Sequence, residues 1–249
     1  MTTRSSPSEI STRAAKFELL VRPAYADLIS VNSFDPASWR EAVEPVTAGG
    51  RGSAWFVGSE GESWVLRHYC RGGYVARLSR RSYIFLGAGR VRSFAEFRLL
   101  NHLYEQGLPV PQPVAACYER VNGLFYRAAI IVQRIRGAVP LADFLVPDDP
   151  ELWMSAGQLI RRFHEAGVYH ADLNCHNILV AGEALYLIDF DKGRSFGSGA
   201  LPGRLRERNL LRLKRSLEKQ AGRIGIAAGV EGKWSALLSG YESPGPGGG

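Results

Sequence analysis

His170, Asp172, Asn177, Asp189 and Asp191 fall in one short run, His170–Arg194, of the 249-residue chain. Ile178-Leu-Val180 and Leu185-Tyr-Leu-Ile188 within it are apolar runs of strand length, and the Ala-Gly-Glu-Ala between them reads as a tight turn. If the two strands pair about that turn, Asn177 lies opposite Ile188–Asp189. An amide oxygen and a carboxylate then stand within reach of one hard cation, with Asp172 on the loop just before. Oxygen ligands with open positions suit Mg²⁺ held jointly with the phosphates of a nucleotide. Two other readings stay open on residues alone. His170, Asp172, Cys175 and His176 could form a zinc cluster, although Cys175 and His176 are adjacent and no second Cys/His pair stands at ligand spacing. The run could also be a structural hairpin with solvated acids.

The arrangement resembles the catalytic and metal loops of protein-kinase-like phosphotransferases, whose pattern is His-Arg-Asp-Leu-x-x-x-Asn followed by Asp-Phe-Gly. Here it stands as His170-Ala-Asp172-Leu-Asn-Cys-His-Asn177 and then Asp189-Phe-Asp191. The resemblance implies an α+β, bilobal protein-kinase-like fold with an antiparallel-sheet N-lobe and a mainly helical C-lobe. It makes Asp172 the catalytic acid–base, Asn177 and Asp189 the Mg²⁺ ligands, and ATP the phosphoryl donor. His170 is expected to brace the loop. Asp191 either adds to the metal shell or pairs with Lys192 or Arg194.

The elements that must position these groups can be traced upstream. Glu41–Val46, Ala54–Val57 and Trp64–Tyr69 read as three consecutive antiparallel strands. Gly49, Gly50 and Gly52 lie between the first two, where a kinase places its phosphate-covering loop. Glycine lets backbone N–H groups approach phosphate oxygens closely, though an ordinary hairpin also uses it. The third strand carries Arg67 where a kinase usually has lysine. Arg92–Gln106 is an amphipathic helix, with Phe94, Phe97, Leu100, Leu103 and Tyr104 on one face. Within it, Glu96 is the expected partner of Arg67 on the kinase pattern. Pro109–Pro113 is an extended connector, Val114–Tyr118 and Ala128–Gln133 are strands, and a hinge is expected near Arg134–Gly137.

Downstream, Asp148-Asp-Pro150 starts a helix with Leu152, Ala156, Leu159, Ile160 and Phe163 inward, and Gly167 ends it. His164 and Arg161-Arg162 read as face and surface residues. Leu205–Ile224 reads as a helix with Leu210, Leu213, Leu217, Ala221 and Ile224 on one face and a row of Arg and Lys on the other. Residues 1–40 are expected as a tail, mobile to residue 15, and then a short strand or helix over Lys16–Arg40 that leads into the fold. Residues 41–137 then form the N-lobe, 138–240 the C-lobe, and 241–249 a flexible tail.

Composition sets the limits. Hydrophobic content of 45% supports a core, and no apolar run approaches the ~20 residues of a membrane span. The polar N-terminus lacks the pattern of a secretory signal. Cys70, Cys117 and Cys175 are scattered and odd in number, which points to free thiols in a reducing compartment. The net charge of +7 favours anionic partners without choosing among them.

After Asp191 there is no long activation segment and no Ala-Pro-Glu signature, which argues for a small-molecule acceptor. The runs YHADLNCHNILV and LIDFDKGR, with GGRGSAWF, VLRHYCRGG and SFAEFRLL upstream, resemble the lipopolysaccharide-core kinases of Gram-negative bacteria over roughly residues 40–220. Asp-Phe-Asp in place of Asp-Phe-Gly, and Arg for Lys, belong to that resemblance. It implies phosphorylation of the 4-hydroxyl of 3-deoxy-D-manno-octulosonic acid (Kdo) on a lipid A precursor. The enzyme would act peripherally on the anionic cytoplasmic face of the inner membrane, with no nucleic-acid partner. Arg71, Arg77, Arg80, Arg81 and the Leu205–Ile224 helix would meet the acceptor or the bilayer. The competing readings are a kinase for another sugar or protein hydroxyl, and a catalytically inactive module that binds lipid or RNA.

Overall fold

The computed structural model describes residues 2–6, 9–14, 16–39, 43–46, 54–59, 61–70, 82–146, 149–197, 199–226 and 229–243. The chain divides into two compact units, one of Met1–His102 with Pro111–Arg134 and one of Leu103–Val110 with Ile135–Gly249.

The first unit is built on an antiparallel sheet. Its strands are β1 (Thr2–Ser6), β2 (Glu9–Ala14), β3 (Phe17–Val21), β4 (Val43–Pro45), β5 (Ala54–Ser59), β6 (Glu62–His68) and β7 (Tyr83–Ile84). Helix α1 (Arg92–Glu105) follows, and then β8 (Pro113–Val121) and β9 (Phe125–Gln133). The order is β1-β2-β3-β8-β9-β6-β5-β4, with β7 added along β9. The expected β4–β5–β6 meander is present, with Ala54 opposite Arg67 and Val57 opposite Trp64.

Where a tail was expected to residue 15 the structure has β1 and β2, and the lead-in expected as a short strand or helix begins with β3. β3 pairs with β8 from Phe17↔Glu119 to Val21↔Ala115, which places it inside the sheet rather than beside it. The cause is the apolar run Leu19-Leu20-Val21, each residue less than a tenth exposed. Residues 23–39 then form short 3₁₀ turns that lay Tyr25, Ile29 and Phe34 into a core with Val57, Trp64, Leu66 and Ile131. Tyr25 and Trp39 meet Trp64 edge-on, with centroids 5.9 and 5.5 Å away. On α1, Phe94, Phe97 and Leu100 are buried at the predicted spacing.

The second unit is mainly helical. It contains β10 (Val139–Pro140), α2 (Pro150–Glu165), β11 (Val168–Tyr169), β12 (Ile178–Ala181), β13 (Ala184–Leu187), β14 (Arg194–Ser195), α3 (Gly203–Ile224) and α4 (Val230–Glu242). Asp149 caps α2 by accepting from the Leu152 N–H at 3.0 Å, with Pro150 at the first turn. Helices α2 and α4 cross with backbones touching. A Cβ on Gly157 would lie 2.0 Å from the Leu237 carbonyl oxygen, and one on Gly240 2.0 Å from that of Met154. On α3 the buried stripe is Asn209, Leu213, Leu217 and Ala221. Ile224, expected on that face, is 45% exposed because the helix ends there at left-handed Gly225.

Candidate active site

β12 and β13 pair as the sequence predicts, from Ile178↔Leu187 to Ala181↔Ala184. Gly182, at φ 60°, takes the first of the two loop positions, the glycine position of a type II′ turn. The Ile188 N–H donates to the Asn177 carbonyl at 3.0 Å, which sets the start of one strand beside the end of the other.

The loop before the hairpin is tied to itself. Asn177 Nδ2 and Asn174 Nδ2 each donate to the Asp172 carbonyl at 2.9 Å. Asn174 Oδ1 accepts from the N–H groups of His176 and Asn177. The Asp172 N–H donates to His170 Nδ1 at 3.2 Å, while His170 Nε2 faces the Ile188 carbonyl at 2.9 Å. That pair of partners assigns the imidazole as neutral with its proton on Nε2. Burial pushes its pKa below the usual imidazole range, which keeps it neutral. His170 therefore braces the loop and spans it to the residue before Asp189. Phe190 is buried, with its ring 4.8 Å from that of His170 and 5.7 Å from that of Phe163.

Asp189 sits at φ 63°, a left-handed conformation that costs a non-glycine residue about 1 kcal/mol. The Gly193 N–H, donating to the Phe190 carbonyl at 2.7 Å, closes the turn that follows. Such strain at an acid in a loop held from both sides is the pattern of a functional position.

Several residues that sequence reasoning did not place in the site hold it. Asn209 on α3 is fully buried and clamps the His170 backbone, donating to its carbonyl at 2.7 Å and accepting from its N–H at 3.3 Å. Asn209 Oδ1 also faces His164 Nε2 at 3.2 Å, and His164 Nδ1 faces the Tyr241 hydroxyl at 2.9 Å. His164, read from sequence as a face or surface residue, is 2% exposed, and burial lowers its pKa to about 4. Cys175 is buried, with its N–H on Ser216 Oγ at 3.2 Å.

Arg212, assigned from sequence to an outward basic face, reaches the loop instead. Its Nε donates to Asp172 Oδ1 at 2.9 Å, and its Nη2 bonds the same oxygen. Asn209 had a detectable signal, since it lies four residues before Leu213 on the buried stripe. Arg212 had none that distinguished it from its basic neighbours.

In the first unit the expected Arg67–Glu96 pair is present. Arg67 Nη2 lies 2.5 and 2.6 Å from the two carboxylate oxygens of Glu96. Glu96 is 3% exposed, and the Tyr69 hydroxyl also donates to it. The Arg67 guanidinium lies over the Tyr69 ring at 5.0 Å. His68, the next residue along β6, turns to the other face of the strand, toward the Phe34 carbonyl and the Trp55 ring. Gly49, Gly50 and Gly52, and Arg71, Arg77, Arg80 and Arg81, lie outside the described residues.

The donor set suits a hard cation rather than zinc. Asn177 uses its amide nitrogen on Asp172, which turns its oxygen end the other way, and Asp189 offers a carboxylate. Among the described residues no three His, Cys, Asp or Glu side chains converge as a zinc site requires.

Comparison with known proteins bears on the family and the fold. Residues 37–241 match the sequence pattern described as the Lipopolysaccharide kinase (Kdo/WaaP) family. The chain is 53% identical over 192 residues to the 3-deoxy-D-manno-octulosonic acid kinase of Xanthomonas euvesicatoria pv. vesicatoria (strain 85-10), covering 76% of this chain and 75% of that one. It is 51% identical over 209 residues to the protein of the same name in Stenotrophomonas maltophilia (strain R551-3), covering 83% and 80%. The fold is similar to that of WaaP, solved in complex with acyl carrier protein (TM-score 0.51, 18% identity, 88% of this chain and 98% of that one). It is also similar to glucosamine kinase in complex with glucosamine, ADP and inorganic phosphate (TM-score 0.52, 15% identity, 97% and 81%). The fold is thus kinase-like, as the loop spacing implied. With a family pattern that spans most of its length and relatives above half identity, the chain belongs to the lipopolysaccharide kinase (Kdo/WaaP) family.

Proposed function

We propose that this chain transfers the γ-phosphoryl group of ATP to the 4-hydroxyl of Kdo carried on a lipid A precursor, in lipopolysaccharide core biosynthesis. The observation that carries the chemistry is the Asp172 loop. Its carboxylate is held by Arg212 through Oδ1 alone, so Oδ2 is the oxygen that an acceptor hydroxyl would reach. The identity of 51–53% to proteins named Kdo kinases carries the acceptor.

In this reading Asp172 orients the sugar hydroxyl and takes its proton as the new oxygen–phosphorus bond forms and the bond to the ADP oxygen breaks. Arg67, fixed by Glu96 and Tyr69, contacts the nucleotide's phosphates; its permanent charge and planar fork replace the usual lysine. Gly49, Gly50 and Gly52 would cover those phosphates with backbone N–H groups. Asn177 and Asp189 would hold Mg²⁺, which when bound neutralises charge on the transferring phosphates. His170 and Asn209 move no proton; they keep the loop rigid. A set of fixed donors aimed at developing charge is the kind of arrangement that lowers a phosphoryl-transfer barrier.

No helix among the described residues is long and apolar enough to cross a membrane. In this reading a lipid-linked acceptor would hold the enzyme peripherally at the cytoplasmic face of the inner membrane, whose anionic lipids would attract its basic surface.

The test is transfer of radiolabel from ATP to Kdo-linked lipid A precursor. Wild type should label the sugar, and Asp172→Asn should lower the rate by about 10²- to 10⁴-fold, the usual contribution of a positioned acid–base. Equal labelling by the variant would remove Asp172 from the chemistry. Bound ATP with no labelled sugar lipid would remove the acceptor.

A further inference from the structure

The β8–β9 hairpin turns at Asn122 and Gly123, both in left-handed conformation (φ 50° and 71°). β7 runs alongside, with Tyr83 opposite Tyr126 and Ile84 opposite Phe125. The Phe85 N–H donates to the Leu124 carbonyl at 2.8 Å. This pairing gathers four large apolar side chains that remain in water: Leu124 is 71% exposed, Leu86 64%, Ile84 58% and Phe125 39%. Single exposed apolar residues need no explanation, but a cluster on adjacent backbone positions does.

The tip is not a frayed end. Beneath it Tyr83 and Tyr126 are buried, with ring centroids 5.6 Å apart. Phe85 lies 5.6 Å from Tyr118, which meets Phe94 of α1 at 5.1 Å. Arg120 covers Phe85 at 4.4 Å and donates to the Gly123 carbonyl at 2.6 Å.

Charge points the same way. Residues 82–92 and 120–127 contain Arg90, Arg92, Arg120 and Arg127 and no Asp or Glu. Arg90, Arg120 and Arg127 are exposed. The nearest acid in register, Glu119, is shared between Lys16 and Arg127. An apolar tip on a stiff aromatic base, flanked by guanidiniums and free of acids, matches an anionic bilayer surface. The aliphatic and Phe side chains enter the acyl boundary while arginines meet lipid phosphates.

We propose that the tip formed by Ile84, Leu86, Leu124 and Phe125 is the element that inserts into an anionic membrane. This rests on the lipid-linked-acceptor reading only for its purpose, not for its physics. It also differs from the expectation that the α3 basic face makes the contact.

The experiment is co-sedimentation of the full chain with phosphatidylglycerol-containing vesicles and with phosphatidylcholine vesicles. The variants are Leu86→Ser/Leu124→Ser at the tip and Arg215→Gln/Lys219→Gln on α3. Wild type should partition to the anionic vesicles. The tip variant should lose at least about tenfold in partitioning, since each exposed leucine contributes most of a buried side chain's transfer energy, with an unchanged melting temperature. Wild-type partitioning by the tip variant, or a loss confined to the α3 variant, would overturn the proposal, as would wild type ignoring anionic vesicles. Activity provides the second arm. The tip variant should match wild type on detergent-dispersed Kdo–lipid acceptor and fall behind only on vesicle-embedded acceptor. A wild type that binds vesicles through the tip yet phosphorylates neither form would refute the acceptor reading and leave the insertion element standing.

Discussion

His164 lies in the middle of a chain of hydrogen bonds that runs from Tyr241 through Asn209 to the backbone of His170. That position has a measurable signature. Burial lowers its pKa from 6.5 to about 4 in the folded chain, so between those values the unfolded chain binds the extra proton. Its contribution is complete above about pH 6.5 and is lost as pH falls toward 4, an amount on the order of 3 kcal/mol. Urea denaturation at about pH 7 and about pH 4.5 should show wild type losing more stability than His164→Gln over the same interval. His170, shifted in the same direction, leaves the variant a residual slope. Equal slopes would mean that His164 is protonated without penalty. Residues of this kind escape a reading of sequence because their partners are distant. Asp172, Asn177 and Asp189 were legible through spacing within one short run. Asn209, Arg212 and Tyr241 act on groups 39, 40 and 77 residues away.

Elements show the same division between local and distant causes. The hairpin β12–β13, helices α1 and α2 and the β4–β5–β6 meander follow from periodicity, caps and turn glycines, and the sequence places them within a few residues. β1 and β2 do not announce themselves, because Thr, Ser and Arg along them give no apolar alternation; their place follows from β3, which pairs with β2 and β8. Helix α4 carries Gly232 and Gly240, which lower helix propensity by about 1 kcal/mol each relative to Ala. At Gly240 the reason is tertiary, since α2 passes too close for a side chain. Gly157→Ala and Gly240→Ala should each therefore destabilise by about 1–3 kcal/mol despite the better local propensity. Thermal denaturation would show it as a drop of several degrees in melting temperature. A midpoint that holds or rises would mean that the two helices separate without loss.

For the molecule as a whole, the proposed lipid-linked acceptor gives net charge a testable role. The +7 lies in the first unit, where Arg90, Arg120 and Arg127 are exposed, while the second is neutral overall and gathers exposed Arg204, Arg208, Arg215, Lys219 and Arg223 along α3. Attraction of such surfaces to an anionic lipid acceptor is screened over about 8 Å at physiological salt. The acceptor KM should accordingly rise several-fold between about 50 and about 300 mM salt, while the KM for ATP, held by close contacts, moves less. Parallel changes in both would place the charge effect at the nucleotide instead. The bond between His164 and Tyr241 also has a consequence in time. Its partners stand 77 residues apart, and α4 is synthesised well after the acidic loop it helps to steady. On a translating ribosome the loop is already made while its last brace is still missing. The loop should therefore reach its full order only once α4 has emerged.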